Sequence, residues 1–379
     1  MNRYLVTGAT GVVGAAVVGE LLRRDDVEIH VLLRATDTAH AAQRVGQLTA
    51  FLRLPEHLAM RVRPLVGDMA SPRFGLDASA YATAAEATTH IVHAAGVVRM
   101  NLPLPEARRF AVEGAKNVLA LARAANRNGA LQKVDFVSTV GVGGRRAAPL
   151  PETWLRESRR FHNTYEQAKA EAEDCVEAAV VEGLPVTVHR PSMVVGDSQT
   201  GRARSFQIFY HLVEFITGRR SFGLQPDVTD RYVDVVPVDF VARAVCWAST
   251  TPATSGRVLN LAAGPSGALP LAHLRTTARL AFREHGLRVP PQRVLPSPVL
   301  ARLARYGAAL PVPQRKMFGT LPIFLDYLQT RQVFENQATL SRLASGGIVL
   351  PSIDIYLDVL LEAYLRERYA RRTAPPAHD

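Results

Sequence analysis

Short apolar runs separated by amphipathic stretches recur along the first 265 residues of the chain. Between the runs, apolar side chains return with helical spacing, for example over residues 105–126 and 164–182. Strands that alternate with helices predict an α/β fold built on a doubly wound, parallel Rossmann sheet. The runs are five to seven residues long, as buried strands are, and cover residues 3–7, 27–33, 62–66, 90–94, 134–138, 186–190 and 257–261.

Three glycines lie where the first predicted strand passes into the first predicted helix, over residues 12–22. Gly8 permits a tight turn, Gly11 lets the backbone approach a pyrophosphate, and Gly14 lets the helix pack closely on the strand. The unpaired N–H groups at the start of that helix would face the phosphates. The pattern predicts a dinucleotide site; the alternative is a strand-to-helix turn that binds nothing.

A tyrosine and a lysine stand one helical turn apart on the helix that follows Asn163 and Thr164. Tyr165 and Lys169 therefore share one face, and the ammonium is expected to favour the phenolate and to lower the pKa of Tyr165. Such a pair alone is more typical of a solvated helix surface. Its position after the glycine turn is what suggests chemistry.

The order of these motifs resembles the extended form of the short-chain dehydrogenase/reductase superfamily over residues 1–265. His93-Ala-Ala-Gly96 follows the fourth predicted strand and Ser138-Thr139 ends the fifth, as in that family. The stretches at 138–140, 191–197 and 234–239 resemble more narrowly its thioester reductase and fatty acyl-CoA reductase branch, also called the male sterility branch. That resemblance implies NADPH-dependent reduction of acyl thioesters to aldehydes, or further to alcohols.

The resemblance also assigns roles to single residues. Tyr165 would donate a proton, Thr139 would hydrogen-bond the substrate oxygen with Ser138 in support, and Lys169 would hold the nicotinamide ribose. One departure is Ala111, which stands where extended members commonly carry an asparagine. The residues expected at the cofactor are Gly8, Thr10, Gly11, Val12, Val13, Gly14, Arg34, Arg44, Asp68, Met69, Ala94, Ala95, Gly96, Tyr165, Lys169, Pro191, Ser192 and Met193.

The end of the second predicted strand bears on which nicotinamide cofactor binds. An acidic residue there would bond the ribose 2′-hydroxyl of NAD, whereas Arg34 is suited to a 2′-phosphate. The sequence therefore favours NADPH. Arg44 would add a second phosphate contact, or is a solvated surface arginine.

Composition and charge narrow the partners. With 379 residues, 47% hydrophobic and 21% charged, the chain is typical of globular proteins. A net charge of +11 favours an acidic partner such as the phosphopantetheine of coenzyme A, an acyl carrier protein or anionic lipid. Zinc-finger and aromatic RNA-binding signatures are missing, so nucleic acid is not expected. The spacing of Cys175 and Cys246 predicts no metal site.

The apolar N-terminus is better explained as strand and helix than as a secretory signal, and no uncharged run reaches about 18 residues. We therefore expect a cytoplasmic protein, with peripheral membrane contact as an alternative; oligomeric state is left open. Residues 1–198, completed by 233–265, are expected to form the NADP-binding Rossmann domain. Residues 199–232 and 266–372 would form a smaller, mostly helical substrate-binding region, and 373–379 a disordered tail.

Three segments of the second region differ in pattern. The apolar residues of 199–232, among them Phe206, Phe209 and Phe215, would line an acyl pocket or form an ordinary core stripe. The proline-rich stretch 289–325 would be an interfacial segment, a lid or a simple cover of the core. A final amphipathic helix beginning near Ile353 would dock on the body.

Together these features predict an NADPH-dependent oxidoreductase that reduces a hydrophobic acyl thioester by hydride transfer, with Tyr165 as proton donor. Two alternatives remain. One is a hydroxysteroid- or sugar-type dehydrogenase, epimerase or ketone reductase of the same superfamily. The other is a non-catalytic NADP-binding regulatory protein.

Overall fold

The computed structural model describes residues 1–100, 102–219, 221–296 and 332–369, together with Val299 and Arg302. The chain divides into two compact units. The first comprises Met1–Ser192, Val238–Ala262 and Phe334–Leu350; the second comprises Met193–Pro237, Ala263–Val333 and Pro351–Asp379.

A seven-stranded parallel sheet forms the centre of the first unit. Numbered in chain order, the strands of the protein are β1 (Asn2–Thr7), β2 (Val27–Leu33), β3 (Val62–Val66), β4 (His90–His93), β5 (Lys133–Val137), β6 (Val186–Pro191), β7 (Met193–Val195), β8 (Leu224–Pro226), β9 (Tyr232–Val233), β10 (Val235–Pro237), β11 (Val258–Leu261), β12 (Leu269–Pro270) and β13 (Arg293–Leu295). The sheet order is β11-β6-β5-β4-β1-β2-β3. This confirms the predicted Rossmann fold, and the order reverses between β1 and β4, where such sheets bind ligands.

Helices connect the strands. In chain order they are α1 (Val12–Leu21), α2 (Thr38–Leu52), α3 (Glu56–Ala59), α4 (Ala78–Ala87), α5 (Leu104–Arg108), α6 (Gly114–Arg127), α7 (Thr164–Val181), α8 (Ile208–Ile216), α9 (Val238–Ser249), α10 (Gly264–Gly267), α11 (Leu271–Glu284), α12 (Gln337–Ser345) and α13 (Ile353–Tyr369). The helix predicted over 105–126 is interrupted, because Arg109–Glu113 form a π-helical turn between α5 and α6. Among the described residues, no helix combines the length and apolarity needed to span a membrane.

Residues 334–350, which the sequence pattern groups with the second region, pack in the first unit. The cause is polar. Glu152 accepts hydrogen bonds from the backbone N–H groups of Ala338 and Thr339 at 2.8 and 2.7 Å and so caps α12 with a carboxylate from far away in sequence. The Asn260 side chain also donates to the carbonyl of Glu335 at 2.8 Å.

The second unit has its own apolar core, formed by side chains from α8, α11 and α13. Phe209 and Phe215 of the 199–232 segment are buried in this core, and Phe206 packs against it partly exposed. These side chains are used for core packing. Glu214 is buried with them, and the Tyr364 hydroxyl donates to its carboxylate at 2.8 Å.

Part of the proline-rich stretch is described. Strand β13 pairs with β8 in parallel, and the Pro290 carbonyl accepts a hydrogen bond from Arg279 at 2.9 Å. Most of residues 297–331 and the predicted disordered tail at 373–379 lie outside the described residues. The C-terminal helix is present as α13, with Ile353 buried at its start.

Candidate active site

The glycine turn at the carboxyl end of β1 has the form that its sequence predicts. Gly8 has a positive φ of 72° and its carbonyl accepts a hydrogen bond from the N–H of Gly11 at 2.9 Å. A Cβ atom on Gly14 would lie 2.2 Å from the Gly8 oxygen, so only glycine lets α1 pack this closely. No side chain caps α1 at Gly11. The N–H groups of its first turn, in Val12 and Val13, therefore suit a phosphate group.

Arginine side chains lie at the end of β2, beside this turn. Arg34 is exposed. The Arg44 guanidinium donates to the Arg34 carbonyl at 2.6 Å and to the Thr10 hydroxyl at 3.2 Å, and so connects the end of β2 to the glycine turn. At the end of β3, Asp68 accepts from the N–H of Ala70 at 3.0 Å, and the Met69 carbonyl accepts from Asn117 at 2.9 Å.

The loop after β4 packs directly on the glycine turn. The N–H of Ala94 donates to the Thr7 carbonyl at 3.2 Å, and a Cβ atom on Gly8 would lie 2.5 Å from the backbone of Ala95. The His93 ring is buried and its Nδ1 is 2.8 Å from the Thr7 hydroxyl. Burial and the charge of Lys169 lower the pKa of His93 to about 3, so the ring is neutral at pH 7. Gly96 is exposed.

Thr139 and Tyr165 come together at the carboxyl end of β5. Thr139 is extended, and its Oγ1 accepts from the N–H of Gly141 at 3.1 Å. Asn163 caps α7 through the N–H of Glu166, which places Tyr165 in the first turn of the helix. The Tyr165 hydroxyl and the Thr139 hydroxyl are hydrogen-bonded to each other.

The pKa of Tyr165 is raised to about 12, mainly by burial and secondly by the negative charge of Glu166. This is the opposite of the lowering expected from a nearby ammonium, because the loss of solvation outweighs it. At neutral pH the side chain is a phenol, the form that donates a proton.

Lys169 is buried one turn further along α7. Its ammonium donates to the Val137 carbonyl at 2.7 Å and lies 4.7 Å from the centroid of the Phe136 ring. Burial lowers the pKa of Lys169 to about 8, opposed by the charge of Glu173. Glu173 is in turn held by Arg190 of β6 in a buried pair at 2.6 Å.

Other predicted residues border this site. Ser138 is 4% exposed and its hydroxyl has no hydrogen-bond partner among the described residues. Ser192 is also buried, and its N–H donates to Leu261 at 3.0 Å. Pro191 ends β6 in the first unit, whereas Met193 begins β7 and belongs to the second. In the described part of the chain, no three His, Cys, Asp or Glu side chains form a metal-binding group.

Ala111, in the place of the family's asparagine, lies within the π-helical turn. Turns of this kind inside α-helices are frequent at functional sites. An alanine there offers no amide to hold a water or Lys169.

Sequence reasoning passed over three contributors to the site. Phe136 under Lys169 and the Glu173–Arg190 pair depend on the neighbouring strands β5 and β6, and no local pattern marks them. Glu166 was detectable. An N-cap residue followed three positions later by glutamate is the sequence signature of a capping box, and Asn163 and Glu166 have this spacing.

A model of the family described as "Male sterility protein" matches residues 6–245. A protein of the linear gramicidin synthase of Brevibacillus parabrevis is 30% identical over 253 residues, 65% of this chain and 5% of that protein. The isonitrile lipopeptide synthase of Streptomyces coeruleorubidus is 28% identical over 376 residues, 93% of this chain and 24% of the synthase. The chain thus spans a quarter or less of these two relatives.

Among solved structures, the terminal R domain from the myxalamid PKS-NRPS biosynthetic pathway superimposes with a TM-score of 0.82 at 27% identity, covering 97% of this chain and 91% of that one. The family match spans more than half of the chain and includes the glycine turn, Thr139, Tyr165 and Lys169. The chain belongs to the male sterility family of the extended short-chain dehydrogenase/reductase superfamily, oxidoreductases that use a nicotinamide cofactor.

Proposed function

We propose that the protein reduces an acyl thioester, bound to coenzyme A or to a carrier protein, to an aldehyde or an alcohol with NADPH. The observation that carries this proposal is the hydrogen bond between Tyr165 and Thr139 at the carboxyl end of β5, with buried Lys169 one turn away. These groups can bind and protonate a carbonyl oxygen. The similarity to a terminal R domain and to a lipopeptide synthase supports a thioester as the substrate.

NADPH supplies a hydride to the carbonyl carbon. Negative charge then grows on the carbonyl oxygen, where Thr139 and Tyr165 donate hydrogen bonds, as an oxyanion hole does. Collapse of the tetrahedral oxyanion breaks the carbon–sulfur bond and releases a thiol and an aldehyde. If the aldehyde is reduced again, Tyr165 gives its proton to the alkoxide and an alcohol forms.

NADPH rather than NADH is proposed because positive charge is concentrated at the end of β2. Arg34 is exposed there, and Arg44 is fixed against the Arg34 carbonyl and the Thr10 hydroxyl. A guanidinium matches a 2′-phosphate and leaves a 2′-hydroxyl without a carboxylate partner. Lys169 would hold the nicotinamide ribose, and Asp68 the adenine side.

The cofactor assignment is tested by the ratio of kcat/KM for NADPH to that for NADH. Arg34→Ala should lower this ratio about tenfold or more, the loss of about 1.4 kcal/mol of charge-assisted hydrogen bonding to the phosphate. Arg23→Ala is a matched control, because Arg23 is an exposed arginine paired only with Glu20 on the same helix surface. An unchanged ratio in Arg34→Ala would contradict the assignment.

The reaction itself is tested by incubating the purified chain with NADPH and a panel of acyl-CoAs, acylated carrier proteins, aldehydes and ketones. Free thiol together with aldehyde or alcohol, identified by mass, is the expected result. Tyr165→Phe, which removes only the hydroxyl, should abolish turnover while the protein still binds NADPH. Secondary alcohol formed from a ketone would instead favour the dehydrogenase alternative, and binding without oxidation of NADPH would favour the non-catalytic one.

A further inference from the structure

Glu166 is a buried carboxylate next to Tyr165 that the proposed chemistry does not use. It is 1% exposed, although glutamate is almost never fully buried without partners. One oxygen of its carboxylate accepts a hydrogen bond from the backbone N–H of His162 at 2.9 Å. Its own N–H donates to the cap residue Asn163 at 3.0 Å. Glu166 therefore joins the segment before α7 to the first turn of the helix.

The side chain of Glu166 also packs on the turn after β5. A Cβ atom on Gly141 would lie 3.0 Å from Cγ of Glu166 and 3.4 Å from Oγ1 of Thr139. The same Gly141 donates its N–H to Thr139. Glu166 thus lies against the peptide that orients Thr139, while its neighbour in sequence is Tyr165.

We propose that Glu166 is a positioning residue, whose carboxylate fixes the turn carrying Thr139 against the first turn of α7 and whose negative charge keeps Tyr165 in the phenol form. A phenol is the proton donor that reduction requires, whereas oxidation of an alcohol requires a phenolate as base. Glu166 would therefore favour reduction over the reverse reaction. This inference rests on the proposed function.

The electrostatic part has a physical basis in the burial of both groups. Burial is the larger cause of the raised pKa of Tyr165, and the charge of Glu166 is the next. Arg108 is paired with Glu171 and Arg190 with Glu173. The ionisable groups on the elements around this end of α7 are Lys169, Glu171 and Glu173 on the helix, Arg160 and His162 before it, Arg108, Arg109 and Glu113 in the 104–113 segment, His93 on β4 and Arg190 on β6.

Two substitutions separate position from charge. Glu166→Gln keeps an oxygen that can accept from His162 but removes the charge, and Glu166→Ala removes both. Glu182→Gln is the control, because Glu182 is an exposed glutamate paired with Arg123 at the end of α7. It is 16 residues further along the chain, about 24 Å at a rise of 1.5 Å per residue.

The first measurement needs no turnover. The ionisation of Tyr165 is followed by NMR of protein labelled at the tyrosine ¹³Cζ, with its resonance assigned by loss in Tyr165→Phe. At pH 11 about a tenth of Tyr165 should be ionised in the parent protein and about a quarter in Glu166→Gln, a shift of half a unit. Glu182→Gln should match the parent protein. Equal ionisation in the parent protein and in both Glu166 variants would overturn the proposed role of the charge.

The second measurement is kinetic. At pH 7, Glu166→Gln should keep kcat for carbonyl reduction within about threefold, and Glu166→Ala should lose about tenfold or more with little change in KM for NADPH. The ratio of alcohol oxidation to carbonyl reduction should rise several-fold in Glu166→Gln. Unchanged kcat in Glu166→Ala would overturn the positioning role. If the parent protein reduces no carbonyl compound, the proposed function fails, while the NMR titration still decides the effect of Glu166 on Tyr165.

Discussion

Replacing Glu173 by glutamine should destabilise the first unit by about 3–5 kcal/mol, the usual cost of breaking a buried ion pair. Its partner Arg190 is 0% exposed, and the two side chains meet in a bidentate pair at 2.6 and 3.0 Å. Arg190 also donates to the carbonyls of Pro151 and Thr153, at 3.3 and 3.0 Å. Glutamine would leave its buried positive charge without a counter-ion.

Glu177→Gln provides a matched control. Glu177 lies one turn further along α7 and pairs with Arg156 at 2.7 Å, a distance similar to that in the Glu173 pair. The difference is solvation, because the Arg156 side chain is 79% exposed. Exposed pairs contribute at most about 1 kcal/mol, so this variant should be nearly as stable as the parent protein.

The assay is urea unfolding followed by tryptophan fluorescence. Both tryptophans of the chain, Trp154 and Trp247, belong to the first unit, so the signal reports that unit. With an m-value of about 3 kcal/mol/M, the midpoint of Glu173→Gln should fall by about 1–1.7 M. A loss no greater than that of Glu177→Gln would refute the reasoning from burial.

Three further substitutions test the site. Gly14→Ala should prevent stable folding of the first unit, since its Cβ would lie 2.2 Å from the Gly8 oxygen, whereas Gly11→Ala, with its nearest contact at 3.2 Å, should fold and lose NADPH binding by titration; equal midpoints would contradict this. His93→Asn should reduce the loss of stability between pH 7 and 5 by about 2 kcal/mol, because the pKa of His93 is about 3 in the folded protein. The unfolded state therefore takes up the proton first, and stability is lost as the pH falls below about 6.5; an unchanged difference between the two midpoints would count against it. Lys169→Met should lower kcat for carbonyl reduction by about 100-fold or more with the fluorescence transition retained, and unimpaired turnover would show that the ammonium is not needed.

The strands of the large sheet could be predicted because each is buried on both faces. Such strands are short, nearly continuous apolar runs, and β2 and β3 have the bounds expected from sequence, 27–33 and 62–66. The helix over 105–126 was predicted without its π-helical turn. The apolar spacing survives the turn, so periodicity alone does not reveal it.

The place of residues 334–350 could not be predicted for a different reason. Their packing in the first unit depends on Glu152 and Asn260, polar residues remote in sequence that satisfy backbone groups of α12 and its approach. Hydrogen bonds of this kind leave no local pattern. The apolar face of 199–232 was also ambiguous in sequence, since a core stripe and a pocket wall have the same spacing.

The sequence by itself determined the fold class, the glycine turn and the identity of the groups that can do chemistry, because these depend on local spacing and residue type. The tertiary structure decided their chemical state. Burial, which sequence does not measure, raises the pKa of Tyr165 to about 12 and lowers that of Lys169 to about 8. It also makes the Glu173–Arg190 pair a structural requirement of the site, because a charge removed from water must be balanced by another charge.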